Sequence, residues 1–140
     1  MGQKVELACI IDDDKIYVNL VKKIIEIKKL SENLLIFKNG MEALDHFKLI
    51  LENATEEKLP DIIFLDINMP IMDGWEFLNE FIKIKNNFEK KITLYVVSSS
   101  IDPRDLERAK SFNLVTDYLI KPIELKKFEK IFDRNGHAAA

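Results

Sequence analysis

At 140 residues the chain has room for one domain with a sizeable core. Its 47% hydrophobic and 32% charged content is that of an ordinary soluble globular protein. A net charge of −3 supplies no basic field for nucleic acid or anionic lipid, and the single cysteine, Cys9, excludes an internal disulfide and a multi-cysteine metal site. No leader pattern and no apolar run of about 18 residues occurs, so a cytoplasmic protein with neither nucleic-acid nor membrane partner is expected.

Val5 to Ile11 (VELACII) reads as a buried strand that places Cys9 in the core and ends in Asp12, Asp13 and Asp14. A helix follows, with Ile16, Leu20, Ile24 and Ile27 at helical spacing and Asp13 or Asp14 available as its cap. Leu34 to Phe37 is a second strand closed by the turn signal Asn39-Gly40, and Ala43, Leu44, Phe47 and Leu51 mark a second helix. Residues 52–60 (ENATEEKLP) are polar and aperiodic, which predicts a surface connection. Ile62 to Leu65 then form an apolar run suited to the middle of a parallel sheet, and it stops abruptly at Asp66. The third helix starts near Asp73-Gly74 and buries Trp75, Leu78, Phe81 and Ile82. Residues 92–97 are a fourth strand ending in Ser98-Ser99-Ser100. Asp102-Pro103 opens a fourth helix that buries Leu106, Ala109 and Phe112. Asp117 to Ile120 is a fifth strand running into Lys121-Pro122, and the last helix presents Leu125, Phe128 and Ile131 or Phe132. The domain is drawn at residues 1–132, with 133–140 a disordered tail or an added remnant.

Five strands alternating with five helices predict an α/β, flavodoxin-like doubly wound parallel sheet in the order 2-1-3-4-5. Its switch point lies between strands one and three, which brings Asp12, Asp13 and Asp66 together. Three such carboxylates repel. Each pair at about 4 Å costs on the order of 4 kcal/mol at an effective dielectric near 20. A cation between them removes the conflict. An all-oxygen set without His or Cys selects a hard divalent ion, Mg²⁺ being the most available, and the Asn68 backbone carbonyl is placed to join it. Ser98 offers a hydroxyl at the end of strand four, and Lys121 an ammonium at the end of strand five. A carboxylate among these groups can act as a nucleophile and form an aspartyl phosphate. Each residue taken singly has a duller role: Asp13 or Asp14 as a cap, Ser98 bonding to backbone, Lys121 on the surface, Asp73-Gly74 as a helix start. The specific signal is their combination in strand order.

With IDDD at 11–14, LDINMPIMDG at 65–74, a hydroxyl at Ser98 and KP at 121–122, the chain resembles the receiver domain of two-component response regulators, over residues 5 to about 132. The resemblance implies Asp66 as phospho-acceptor. It implies Asp13 as a direct and Asp12 as a water-mediated Mg²⁺ ligand, with Asp66 and the Asn68 carbonyl in the same set. Ser98, preferred to Ser99, and Lys121 would contact the phosphoryl group, and Tyr118 would be the switch aromatic, turning inward on phosphorylation. It further implies a cis Lys121-Pro122 bond. Helix four, strand five and helix five would form the responsive face, and Asp14 would cap the first helix. The implied partners are a histidine kinase or His-phosphotransfer protein and an unidentified downstream protein. The chain would be a stand-alone receiver that promotes its own phosphorylation and dephosphorylation rather than an enzyme. A relay intermediate that passes phosphoryl to a His-containing domain is the alternative. A haloacid-dehalogenase-like phosphatase would want a second acid where Asn68 stands, and a flavin carrier would meet three aspartates at its phosphate loop. A receiver degenerate in function would lack site residues that are all present.

Overall fold

The computed structural model describes residues 5–135. In chain order these form β1 (Val5–Ile11), α1 (Lys15–Ile27), β2 (Ser31–Phe37), α2 (Gly40–Asn53), a 3-10 turn (Glu56–Lys58), β3 (Ile62–Asp66), α3 (Gly74–Lys85), β4 (Thr93–Ser98), α4 (Pro103–Lys110), β5 (Val115–Ile120) and α5 (Leu125–Asn135). The strands make one parallel sheet in the order β2-β1-β3-β4-β5. The predicted flavodoxin-like topology is therefore the observed one. Helix α5 continues three residues beyond the boundary drawn at 132, and residues 136–140 of the expected tail lie outside the described residues.

Strand alternation divides the core of the described residues in two. Cys9, Ile11, Ile63, Leu65, Leu94 and Val96 point to one face, where α2, α3 and α4 cover them with Phe47, Phe77, Phe81 and Ala109. Ala8, Ile10, Ile62, Phe64, Tyr95 and Val97 point to the other, against Val18, Val21 and Ile25 of α1 and Phe128, Ile131 and Phe132 of α5. Every residue of β3 is buried, as its continuous apolar run requires of a central strand, and edge strand β2 is only half-covered. Cys9 is fully buried, and desolvation holds its thiol well above the usual range, which makes it an inert packing residue.

Several helix faces differ from the predicted ones. On α1, Ile16, Leu20 and Ile27 are 85%, 56% and 74% exposed, Ile24 is half-buried, and Val18, Val21 and Ile25 fill the core. The helix is apolar on two sides, and both stripes satisfy helical spacing. On α3, Phe77 enters the core where Ile82 was expected, and on α2 Ile50 goes deeper than Leu51. Leu106 and Phe112 are only half-buried; Phe112, beyond the end of α4, stacks on Trp75 at 6.1 Å. Leu125 is exposed. The 52–60 segment is not all surface, since Leu59 and Pro60 are buried. Asn39-Gly40 is a helix start rather than a strand-closing turn. The Asn39 side chain accepts the Glu42 N–H at 2.9 Å, and a Cβ on Gly40 would meet Met72 and Phe77 at about 3 Å.

A buried acid also stands at the opposite end of β3 from Asp66. Asp61 pairs with Lys90 at 3.0 Å and accepts the N–H groups of Glu6 and Leu7, tying β1 to the base of β3. Its charge is matched, so Asp61 is a structural acid.

Candidate functional site

The carboxyl ends of β1, β3, β4 and β5 meet at one edge of the sheet, and each delivers a polar residue there. Asp12 leaves β1 with its N–H donated to the Phe37 carbonyl, and its side chain accepts the Asp14 N–H at 3.0 Å. Asp14 caps α1 by accepting the Tyr17 N–H at 3.1 Å, the role expected of it. Asp13 is exposed between them. Asp66 ends β3 and is buried, accepting the Asn68 N–H at 3.4 Å. Among the described residues, Asp12, Asp13 and Asp66 form a group whose ligand oxygens all lie within 4.8 Å of one another.

Close packing fixes this end of β3. Helix α3 starts so near the strand that a Cβ on Gly74 would stand 2.5 Å from the Asp66 carbonyl oxygen and 2.7 Å from Ile67 Cα. Asp73 and Glu76 close a capping box around that start. The intervening loop holds Ile71 at φ 68°, a left-handed conformation that β-branched residues rarely adopt, with its side chain 78% exposed.

Lys121 comes from the end of β5. Its N–H donates to the Ser98 carbonyl, its bond to Pro122 is cis as expected, and its ammonium lies 2.9 Å from Asp12 and 4.0 Å from Asp66. Lys121 thus pairs with two of the three acids. Burial, and then the Asp12 charge, push the Asp66 carboxyl up to about 7, and Lys121 and the Asn68 N–H only partly oppose this. An all-oxygen donor set with excess negative charge and no His or Cys suits a hard divalent cation such as Mg²⁺.

Ser98 is the last residue of β4 and fully buried, and Ser99 is exposed. The Ser98 hydroxyl oxygen accepts the Ser100 N–H at 3.0 Å. Tyr118 is half-buried against the core, and its hydroxyl donates to the Ser100 carbonyl at 2.9 Å. Two residues at this edge escaped the sequence reading. Ser100 links Ser98, Tyr118 and the start of α4, its hydroxyl donating to Asp105 at 2.6 Å and accepting the Asp102 N–H at 3.2 Å. Tyr17 sets its ring 4.3 Å from the Lys121 ammonium; burial, then Asp12, Asp66 and Asp14, hold its hydroxyl well above the ordinary range.

The chain matches the family described as the response regulator receiver domain over residues 8–133. It is 36% identical over 112 residues to the sensor histidine kinase CheAY of Helicobacter pylori, an alignment covering 80% of this chain and 13% of that protein. A two-component response regulator from Cytophaga hutchinsonii shares the fold with a TM-score of 0.80 and 29% identity, covering 94% of this chain and 97% of that one. The receiver domain of Saccharomyces cerevisiae Ssk1, solved with the histidine phosphotransfer protein Ypd1, has the same fold at a TM-score of 0.76 and 23% identity, covering 97% and 91%. Topology, acid cluster and family match agree: the chain belongs to the response regulator receiver domains of two-component signalling.

Proposed function

We propose that Asp66 is the phospho-acceptor and that the donor is a phosphohistidine on a histidine kinase or His-phosphotransfer protein. A carboxylate oxygen of Asp66 attacks phosphorus as the phosphorus–nitrogen bond breaks; the bonding pair stays on the imidazole, which leaves as a neutral ring because its other nitrogen carries a proton, and an acyl phosphate forms on Asp66. The observation that carries this reading is the gathering of three acids, their ligand oxygens within 4.8 Å of one another, with the Lys121 ammonium against Asp12 and Asp66. Asp13, Asp66 and the Asn68 carbonyl would hold Mg²⁺, with Asp12 joining through water. The ion would neutralise charge on the phosphoryl oxygens and lower the energy of transfer. Lys121, already between Asp12 and Asp66, has a short path to a phosphoryl oxygen, and Ser98 supplies a hydroxyl donor at the end of the neighbouring strand.

Docking of the donor is supported by the exposed apolar stripe Ile16, Leu20 and Ile27, which starts one turn from Asp13 on α1 and suits the apolar face of a partner helix. The signal would leave through the Ser98–Ser100 segment to α4, β5 and Tyr118. We place the functional unit of the receiver at the stretch that ends with α5 at Asn135 and its action in the cytoplasm; none of the described helices is long and apolar enough to cross a membrane.

Incubation with acetyl phosphate and Mg²⁺, followed by intact mass, tests the assignment. One phosphoryl adduct should form and should disappear in Asp66→Asn and in EDTA. An adduct that survives Asp66→Asn would overturn it.

A further inference from the structure

Lysine carries its charge on a stem with four rotatable bonds, so an ammonium needed at one point must be confined there. Around Lys121 two sides are acidic, with Asp12 at 2.9 Å and Asp66 at 4.0 Å. An aromatic face from α1 supplies a further wall, the Tyr17 ring centroid standing 4.3 Å from Nζ. The backbone that carries this ring is capped, and the side chain is packed. The Tyr17 N–H is held by the α1 cap Asp14, and its side chain packs on the core layer under α1 and α5. With this ring beside it, the Lys121 side chain is only 14% exposed. The face of an aromatic ring attracts a cation, more strongly where water is excluded.

We propose that Tyr17 is a positioning residue for phosphoryl transfer, its ring holding the Lys121 ammonium at the mouth of the acid cluster, between Asp12 and Asp66. The inference rests on the receiver reading of the site. Tyr17 acts through Lys121 and touches no reacting atom. Its ring matters and its hydroxyl does not. Leucine or methionine at this position fills the space without attracting the cation, leaving the ammonium free to swing away from both acids into solvent. Phenylalanine keeps the attraction.

The test uses the full chain with Tyr17→Phe, Tyr17→Leu and Tyr17→Met, each confirmed folded by its melting transition. Proton NMR of the Lys121 Cε methylene reads the contact directly, because a ring stacked on it shifts the signal upfield. Phosphorylation by acetyl phosphate with Mg²⁺ reads its consequence. Tyr17→Phe should keep the upfield shift and phosphorylate within about twofold of the parent. The two aliphatic variants should lose the shift and slow by about fivefold to tenfold, the range a partly buried cation–π contact supports. Folded aliphatic variants as fast as the parent, or a Tyr17→Phe as slow as they are, would overturn the inference alone. A parent that takes no phosphoryl at Asp66 would overturn the receiver reading and this inference with it.

Discussion

At the scale of single residues, the loop from Asp66 to Gly74 sets conformational demands that its sequence meets unevenly. Gly74 is irreplaceable for space, because any Cβ there collides with the backbone of Asp66 and Ile67. Gly74→Ala should destabilise the chain by about 1–3 kcal/mol and displace the end of β3, since the obstacle is backbone and cannot rotate away. Ile71 makes the opposite case. A β-branched residue at φ 68° stores about 1–3 kcal/mol of strain, and with its side chain in solvent it gains little burial in return. Asparagine tolerates this conformation, so Ile71→Asn should raise stability by about 1 kcal/mol in urea unfolding. Strain kept this close to the proposed phospho-acceptor points to a use for the isoleucine, and an Ile71→Asn protein that is more stable but binds a phosphodonor protein more weakly would identify it.

At the scale of elements, α4 is the short helix whose attachments lead back to the site. Its N-terminus hangs on Ser100, and its side carries Arg108 over the Trp75 ring at 4.7 Å, with Phe112 stacked on the same indole. Trp75 is the only tryptophan in the chain, so its fluorescence reports where α4 sits. Phosphorylation of Asp66 should change that emission. Ser100→Ala removes the hydroxyl shared by Asp102 and Asp105, and it should cost about 1 kcal/mol of stability while weakening the fluorescence change. An unchanged response in Ser100→Ala would exclude the Ser100 side chain from the route to α4. The same region shows what the sequence could and could not reveal. Asp12, Asp66, Ser98 and Lys121 were legible because each interrupts or ends an apolar strand, where a polar group needs a reason. Asp14 was legible as a cap. The core face of α1 was not, because the helix is apolar on two sides and only the packed sheet chooses between them. Tyr17 and Ser100 were hidden for a related reason. Each lies in a stretch with an adequate local explanation, and its significant partner comes from a distant strand end.

At the scale of the whole molecule, the sheet gathers charge that the fold alone does not need, and pH exposes the cost. In the folded protein burial and the Asp12 charge raise the Asp66 carboxyl from 3.8 to about 7, so between these values the folded chain keeps a proton that the unfolded chain has released. Stability linked to that proton is fully present below 3.8 and is lost as pH rises through 7. Asp66→Asn removes the titrating group and should remove this loss. The parent minus Asp66→Asn difference, followed by urea unfolding in metal-free buffer, should therefore fall between pH 4 and 7 and level off above. A flat difference across that window would mean that the Asp66 charge is not the source of the strain. Magnesium should act in the reverse sense, because it favours the ionised acids of the folded site. Each tenfold rise of Mg²⁺ above its dissociation constant should add about 1.4 kcal/mol at neutral pH. The gain should shrink in Asp66→Asn, where one carboxylate is gone. By contrast Asp61, equally buried but matched by Lys90 and two N–H groups, calls for no added cation. The two ends of β3 thus separate a charge that serves the fold from one that the fold tolerates for its chemistry.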